Sequence, residues 1–258
     1  MMCDQQAMKS ILNLEHYIDF SPSWAKRSYI KILHVLKKIS THCGMIAWLD
    51  KHAPYSRRHH YIRSLFATHQ LNDMIALDTP WWTYHAIEFV NDYLANMSHP
   101  AMVFEYGSGA STLWLAKRCQ SLISIEHDTH WHDQIVQHTK DKKNILLLHR
   151  PPNVLQVNKP SVYHSDKQPF LDFQSYVESI QSFERQFDVI IIDGRCRPQC
   201  LSLAMKKLNK NGIIVFDNSN RARYQQCLSK ADIEIQRFWG RVPGSPFRSE
   251  TAIVRKIN

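Results

Sequence analysis

Three short stretches of the chain bring together residue types that can do chemistry. The first is Glu105-Tyr-Gly-Ser-Gly-Ala-Ser-Thr112. Gly107 and Gly109 let a backbone turn tightly and approach a ligand closely. Ser108, Ser111 and Thr112 supply hydroxyls beside them. The dinucleotide fingerprint wants a third glycine where this chain has Thr112. An acid, Glu105, stands before the loop and suits a cationic ligand better than a pyrophosphate. The bland alternative is a plain strand-to-helix turn. The second stretch is Glu126-His127-Asp128, with Glu126 lying 126 − 109 = 17 residues past Gly109. That is near the spacing of an acid that accepts both hydroxyls of a ribose. Asp128 reads as a helix N-cap. The third pairs Asp193-Gly194 with Asp217-Asn218.

Those stretches need a scaffold. From residue 101 onward short apolar runs alternate with helical segments. Strands are predicted over 102–106, 122–125, 144–148, 187–192 and 212–216. Helices are predicted over 110–118, 129–139, 170–183 and 198–208. Wholly apolar strands alternating with helices imply a parallel sheet covered on both faces. Ligands of such sheets bind beyond the carboxyl ends of the strands, where all three stretches fall. A last strand pair is expected over 233–239 and 251–257. Residues 150–169 read as a long polar loop, a length that is often functional. Upstream, residues 29–39 have helix spacing, with Ile32, Leu33, Leu36 and Ile39 near one face and Lys31, Lys37 and Lys38 away from it. A second helix is expected from Trp81 to about Asn96.

Composition bounds the answer. The chain has 258 residues, enough for one large domain or for one domain with an appendage, and a formal charge of +9. The positive charge is dispersed, with denser pieces at Arg57-Arg58-His59-His60 and in a tail holding Arg221, Arg223, Arg237, Arg241 and Arg248. Six cysteines are too few for a disulfide framework, and free thiols in a reducing compartment are expected. No apolar stretch approaches the roughly 18 residues of a membrane span. The first ten residues lack the apolar core of a secretory signal, which makes a cytoplasmic location the expectation.

The E-x-G-x-G-x-S-T loop, the acid ending the second strand and Phe187-Asp-Val-Ile-Ile-Ile-Asp193 together resemble the class I S-adenosylmethionine-dependent methyltransferases. The resemblance covers about residues 80–258 and implies two parts, a helical extension (1–78) and a cofactor-binding domain (79–258). The fold it implies is α/β: a doubly wound, Rossmann-like, mostly parallel seven-stranded sheet with an antiparallel last strand. By the same resemblance Glu105, Gly107, Ser108, Gly109, Ser111, Thr112, Glu126, His127 and Asp193 bind S-adenosylmethionine. The acid after the fourth strand and the Asp-Asn pair after the fifth look like the metal-dependent O-methyltransferases. That likeness implies Mg²⁺ on Asp193, Asp217 and Asn218, an all-oxygen set suited to it. The lysine base of that subgroup is absent from Asp193-Gly-Arg-Cys-Arg-Pro198. Asp193 and Asp217 as simple helix caps are the alternative.

The chain lacks the D/N-P-P-Y/F sequence that base-modifying amino methyltransferases resemble one another in, so a nucleic-acid acceptor is not expected. The expected acceptor is a hydroxyl of a small molecule, sugar or lipid head group. Asp193, His149 and His164 are the expected catalytic groups, either histidine serving as general base. Arg221 and Arg223 could grip an anionic substrate, and Trp81, Trp82, Tyr84 and Trp239 border the substrate or pack the core. Two rival readings remain open. One is a nucleotide-dependent oxidoreductase. The other is a non-catalytic domain that docks on a membrane or a partner protein through residues 1–78, with the helix at 29–39 making a peripheral membrane contact.

Overall fold

The run Phe187–Ile192 is buried along its whole length as strand β6, apolar at every position but Asp188, whose carboxylate accepts from the Met102 N–H. β1 (Met102–Tyr106) and β7 (Leu208–Asp217) flank it, and β2 (Ser121–Glu126) and β3 (Ile145–His149) lie beyond β1. The computed structural model describes residues 24–67, 70–155, 161–165, 168–230 and 232–257. The chain divides into two compact units, Met1–Ala47 and Trp48–Asn258. In the first, helix α1 (Trp24–His42) leaves Ile32, Val35, Leu36 and Ile39 exposed, with Leu33 half-buried. Among the described residues no helix is long and apolar enough to cross a membrane.

The second unit carries α2 (Arg57–Leu65), α3 (Leu71–Ala76) and the sheet with its helices. Strand order is β3-β2-β1-β6-β7-β9-β8, where β8 (Ile233–Arg241) and β9 (Arg248–Lys256) close the edge. β1, β2, β3, β6 and β7 run parallel, and β9 is antiparallel to both β7 and β8. The order reverses between β1 and β6, so their carboxyl ends open a crevice there. This is the doubly wound, seven-stranded, Rossmann-like sheet that the alternation implies.

Period-two alternation explains the apolar runs. Phe104, Tyr106, Ile190, Ile192, Ile214 and Phe216 face one buried layer. Val103, Val189, Ile191, Ile213 and Val215 face the other. Helix α4 (Tyr84–Ala95) covers the second layer with Ala86, Val90 and Leu94, four residues apart. It starts at Tyr84 rather than Trp81. Thr83 is held extended because its N–H donates to Thr251 Oγ1 at 3.1 Å and its hydroxyl to the Phe238 carbonyl at 3.2 Å. The segment expected to be helical from Phe170 to Phe183 is broken instead. Leu171–Asp172 pairs with Asn153–Val154, α7 covers only Gln174–Glu178, and a 3-10 turn follows. The expected polar loop is described at its two ends; residues 156–160 and 166–167 lie outside the described residues, as do residues 1–23 with their expected leader-free start.

Candidate functional site

β1 ends in a turn that only glycine fits. Gly107 has φ +92° and its N–H donates to the Ile125 carbonyl at 2.9 Å. A Cβ there would lie 2.9 Å from the Gly194 backbone, so the loops after β1 and β6 touch backbone to backbone. A Cβ on Gly194 would overlap the Tyr176 hydroxyl. Gly109 opens α5 (Ala110–Ala116), and its N–H donates to Thr112 Oγ1 at 2.9 Å.

Glu105 does not face the ligand side. It is fully buried and accepts hydrogen bonds from Ser111 Oγ at 2.5 Å, Thr112 Oγ1 at 2.6 Å and Ser124 Oγ at 2.6 Å. Burial lifts its pKa to about 7 against those three hydroxyls. Glu105 and Thr112 therefore brace the glycine loop from behind rather than lining the cavity, a correction to the expected cofactor contacts.

Glu126 ends β2 at the rim. Its Oε2 accepts from the Ser108 N–H at 3.0 Å and the Ser108 hydroxyl at 3.1 Å. Its Oε1 accepts from the N–H groups of His127 and Asp128, both at 2.8 Å, and lies 2.9 Å from His127 Nδ1. Burial alone would raise this carboxyl; the His127 side chain and the backbone donors outweigh it and hold the pKa below the usual range. Asp128 caps α6 (Thr129–Thr139), its Oδ1 accepting from the Trp131 N–H at 2.8 Å. Trp131 Nε1 donates to the Ser108 carbonyl at 2.7 Å and its ring lies 6.2 Å from that of Trp81.

The two remaining acids meet a buried arginine. Arg197, at the start of α8 (Arg197–Lys207), donates from Nη2 to Asp193 Oδ1 at 2.7 Å. Its Nη1 lies 3.7 Å from Asp217 Oδ2 and also donates to the Asp217 carbonyl, and its Nε donates to the Gly194 carbonyl at 3.1 Å. Asp217 Oδ1 accepts from Thr251 Oγ1 at 2.9 Å. Burial, then the neighbouring Asp193 charge, pushes Asp217 up to about 7 in spite of Arg197. Asn218 takes φ +52° and its amide donates to Ser249 Oγ at 3.2 Å. The expected Mg²⁺ set does not fit this arrangement. A guanidinium already holds the position between the two carboxylates, and a second cation would meet a pair whose charge is half neutralised. Among the described residues no group of three or more His, Cys, Asp or Glu side chains could hold a metal ion.

These pieces surround a cavity of about 610 Å³, within the size range of small-molecule sites. Gly107, Ser108, Gly109, Ser111, Glu126, His127, Asp193, Asp217 and Asn218 line it, so most of the expected site residues do converge. Trp81, His130, Trp131, Arg195 and Arg197 join them without having been singled out as ligand residues, Trp81 excepted. Trp82 is core, buried edge-on against Trp114. The two expected bases lie outside this cavity. His149 ends β3 and stacks on His132, with ring centres 4.8 Å apart. His164 is exposed and lines a neighbouring cavity. The five described cysteines are free thiols.

Comparison with known proteins bears on this cavity directly. Residues 104–219 match the family model of a methyltransferase domain. The match runs from β1 to just past β7 and contains every cavity-lining residue except Trp81. The match covers 116 of the chain's 258 residues. No curated protein matches the chain. Three solved structures share parts of the architecture. An rRNA methylase from Streptococcus thermophilus is 11% identical, over 67% of this chain and 96% of its own, with a TM-score of 0.46. A provisionally assigned O-methyltransferase from Klebsiella pneumoniae is 16% identical, over 76% and 89%, with a TM-score of 0.48. A methyltransferase-like protein from Silicibacter pomeroyi is 18% identical, over 67% and 86%, with a TM-score of 0.45. At these identities and scores they say nothing about the acceptor.

Proposed function

We propose that this chain binds S-adenosylmethionine in the cavity beyond β1, β2 and β6 and methylates a hydroxyl of a small molecule, sugar or lipid head group. The observation that carries the reading is the junction of the Gly107–Gly109 turn with Glu126. The turn brings bare backbone to the cavity wall, and Glu126 sits at the rim, where a ribose diol would be held. Ser108 Oγ and the His127 ring are the donors that such a diol would displace from the carboxylate. Trp81 and Trp131 offer apolar surface for the adenine, and the His127 ring lines the same cavity.

When bound, the cofactor supplies an electrophilic methyl group. Asp193, Asp217 and Asn218 form the cavity wall at the ends of β6 and β7. There they can orient a hydroxyl. Asp217 is basic enough to take its proton near neutral pH, and it lines this cavity where His149 and His164 do not. Arg197 keeps the carboxylate pair ordered while a proton is held on one of them.

Isothermal titration of the full chain with S-adenosylhomocysteine tests the reading. Binding in the micromolar range is expected. A folded protein that takes up no S-adenosylhomocysteine would sink it.

A further inference from the structure

A smaller cavity, about 130 Å³, opens beside the first and shares Gly194, Arg195 and Arg197 with it. Its remaining wall brings His164, Arg221 and Arg223 together, and no Asp or Glu side chain among the described residues lines it. Arg197 has its charge met by Asp193 and Asp217 on the other side. Arg221 feels the Asp193 and Asp217 charges only at longer range, and neither it nor Arg195 is in an ion pair with them. Arg195 Nε is buried without a hydrogen-bond partner. Among the described residues no carboxylate comes within ion-pair distance of the Arg195 or Arg221 guanidinium. Burial, then the charges of Arg197 and Arg223, pull the Arg221 pKa below its ordinary value. A protein that gathers cations in one recess without acids bears a repulsion that an incoming anion relieves.

We propose that this recess is an oxyanion subsite that holds a phosphate monoester carried by the methyl acceptor. The assignment to an acceptor rests on the methyl-transfer reading given above. The nitrogen-bearing side chains come from separate segments: His164 from the loop before Leu171–Asp172, Arg195 from the turn after β6, and Arg221 from the turn after β7. Donors converging from three sides match the several oxygens of a tetrahedral dianion better than a planar carboxylate. His164 Nδ1 lies 2.8 Å from the Ser161 carbonyl, which can only accept, so Nδ1 carries a proton. Nε2 donates to an oxyanion only when the ring carries its second proton, which a bound anion favours. The volume admits a phosphoryl group and little else, which leaves the body of the acceptor in the larger cavity, next to Asp193 and Gly194.

The test uses the full chain and inorganic phosphate at fixed ionic strength, followed by amide chemical shifts. Saturable binding in the millimolar range is expected, at least tenfold weaker in Arg221→Gln and unchanged in Arg58→Gln, an exposed arginine elsewhere in the unit. Acetate should bind at least tenfold more weakly than phosphate. Absence of saturable phosphate binding by folded protein, or equal binding by wild type and Arg221→Gln, overturns the site. Equal affinity for acetate overturns the phosphate assignment. S-adenosylhomocysteine is titrated alongside. If it fails to bind while phosphate binds and Arg221→Gln weakens it, the methyl-transfer reading and the acceptor assignment fall, and the oxyanion site alone stands.

Discussion

Arg197 Nη2 donates to Asp193 Oδ1 at 2.7 Å from the first turn of α8. Through the same guanidinium, Asp193 is linked to Asp217, which ends the neighbouring parallel strand. The crevice thus contains an internal cation where the sequence pattern suggested an external one. A fixed guanidinium differs from a metal ion in what it can do. It orders two carboxylates and spreads their charge, but it offers no open coordination position to a substrate oxygen.

Removing that cation should unfold the site before it alters chemistry. Arg197→Met leaves two buried carboxylates facing one another without a partner. Breaking a buried ion pair from one side typically weakens a fold by about 3–5 kcal/mol. A large loss in urea unfolding free energy is expected for Arg197→Met, partly recovered at lower pH as the acids take up protons. In wild type, treatment with a chelator should leave S-adenosylhomocysteine affinity unchanged. A chelator effect that Mg²⁺ restores would show that the guanidinium is not the only cation the acids serve.

The contact between the loops after β1 and β6 yields a second expectation. Gly107 combines φ +92° with a Cβ position that the Gly194 backbone already fills. Gly107→Ala therefore carries both the left-handed strain, about 1–2 kcal/mol, and a clash that no side-chain rotation relieves. We expect a fall in stability of about 2 kcal/mol or more and a weaker cofactor complex. Gly109→Ala is the control, since its Cβ would meet nothing nearer than 3.8 Å. Similar thermal midpoints for the two variants would contradict the close approach.

How much of this was legible beforehand follows from what each residue touches. The strands were legible because β6 and β1 are buried on both faces, which forces an apolar run whatever the distant contacts are. Asp128 was legible as a cap because its partner, the Trp131 N–H, is three residues away. The break at Phe170–Phe183 was not, since it depends on Leu171–Asp172 pairing with Asn153–Val154 across the long loop. The orientation of Glu105 was hidden for the same reason: Ser124, one of its three donors, lies on the next strand. Arg197 had a local signal, the Asp193-x-x-x-Arg197 spacing of a helical ion pair, but its second partner Asp217 is 20 residues on.

Glu126 should decide cofactor affinity. Its two oxygens already order the Ser108 turn and the start of α6. Glu126→Gln replaces one acceptor oxygen by an amide N–H₂, which must face either Ser108 N–H or the His127 and Asp128 N–H groups. It also removes the charge that strengthens a hydrogen bond from a ribose hydroxyl. Charge-assisted hydrogen bonds are worth about 1.5–3 kcal/mol. S-adenosylhomocysteine affinity is expected to fall roughly 10- to 100-fold on that basis. Calorimetry reads this directly, and affinity within twofold of wild type would remove Glu126 from the ribose role.

Glu105 links the glycine loop to pH. Its pKa stands at about 7 in the fold, against 4.5 for an ordinary glutamate, because burial outweighs the hydroxyls of Ser111, Ser124 and Thr112. The folded state therefore keeps a proton that the unfolded chain releases between those values. The resulting stabilisation is complete below the unfolded pKa and is lost as pH rises through about 7. A shift of this size corresponds to a decline on the order of 3 kcal/mol at 1.36 kcal/mol per unit. Asp217, also near 7, adds a slope of the same sign. Glu105→Gln carries no titrating proton, so its unfolding free energy should fall less steeply between pH 5 and 8 than that of wild type. Urea titrations at four pH values across that window measure the difference. Parallel curves for the two proteins would mean that Glu105 is ionised in the fold, held by its three hydroxyl donors, and that burial is the weaker influence at this position.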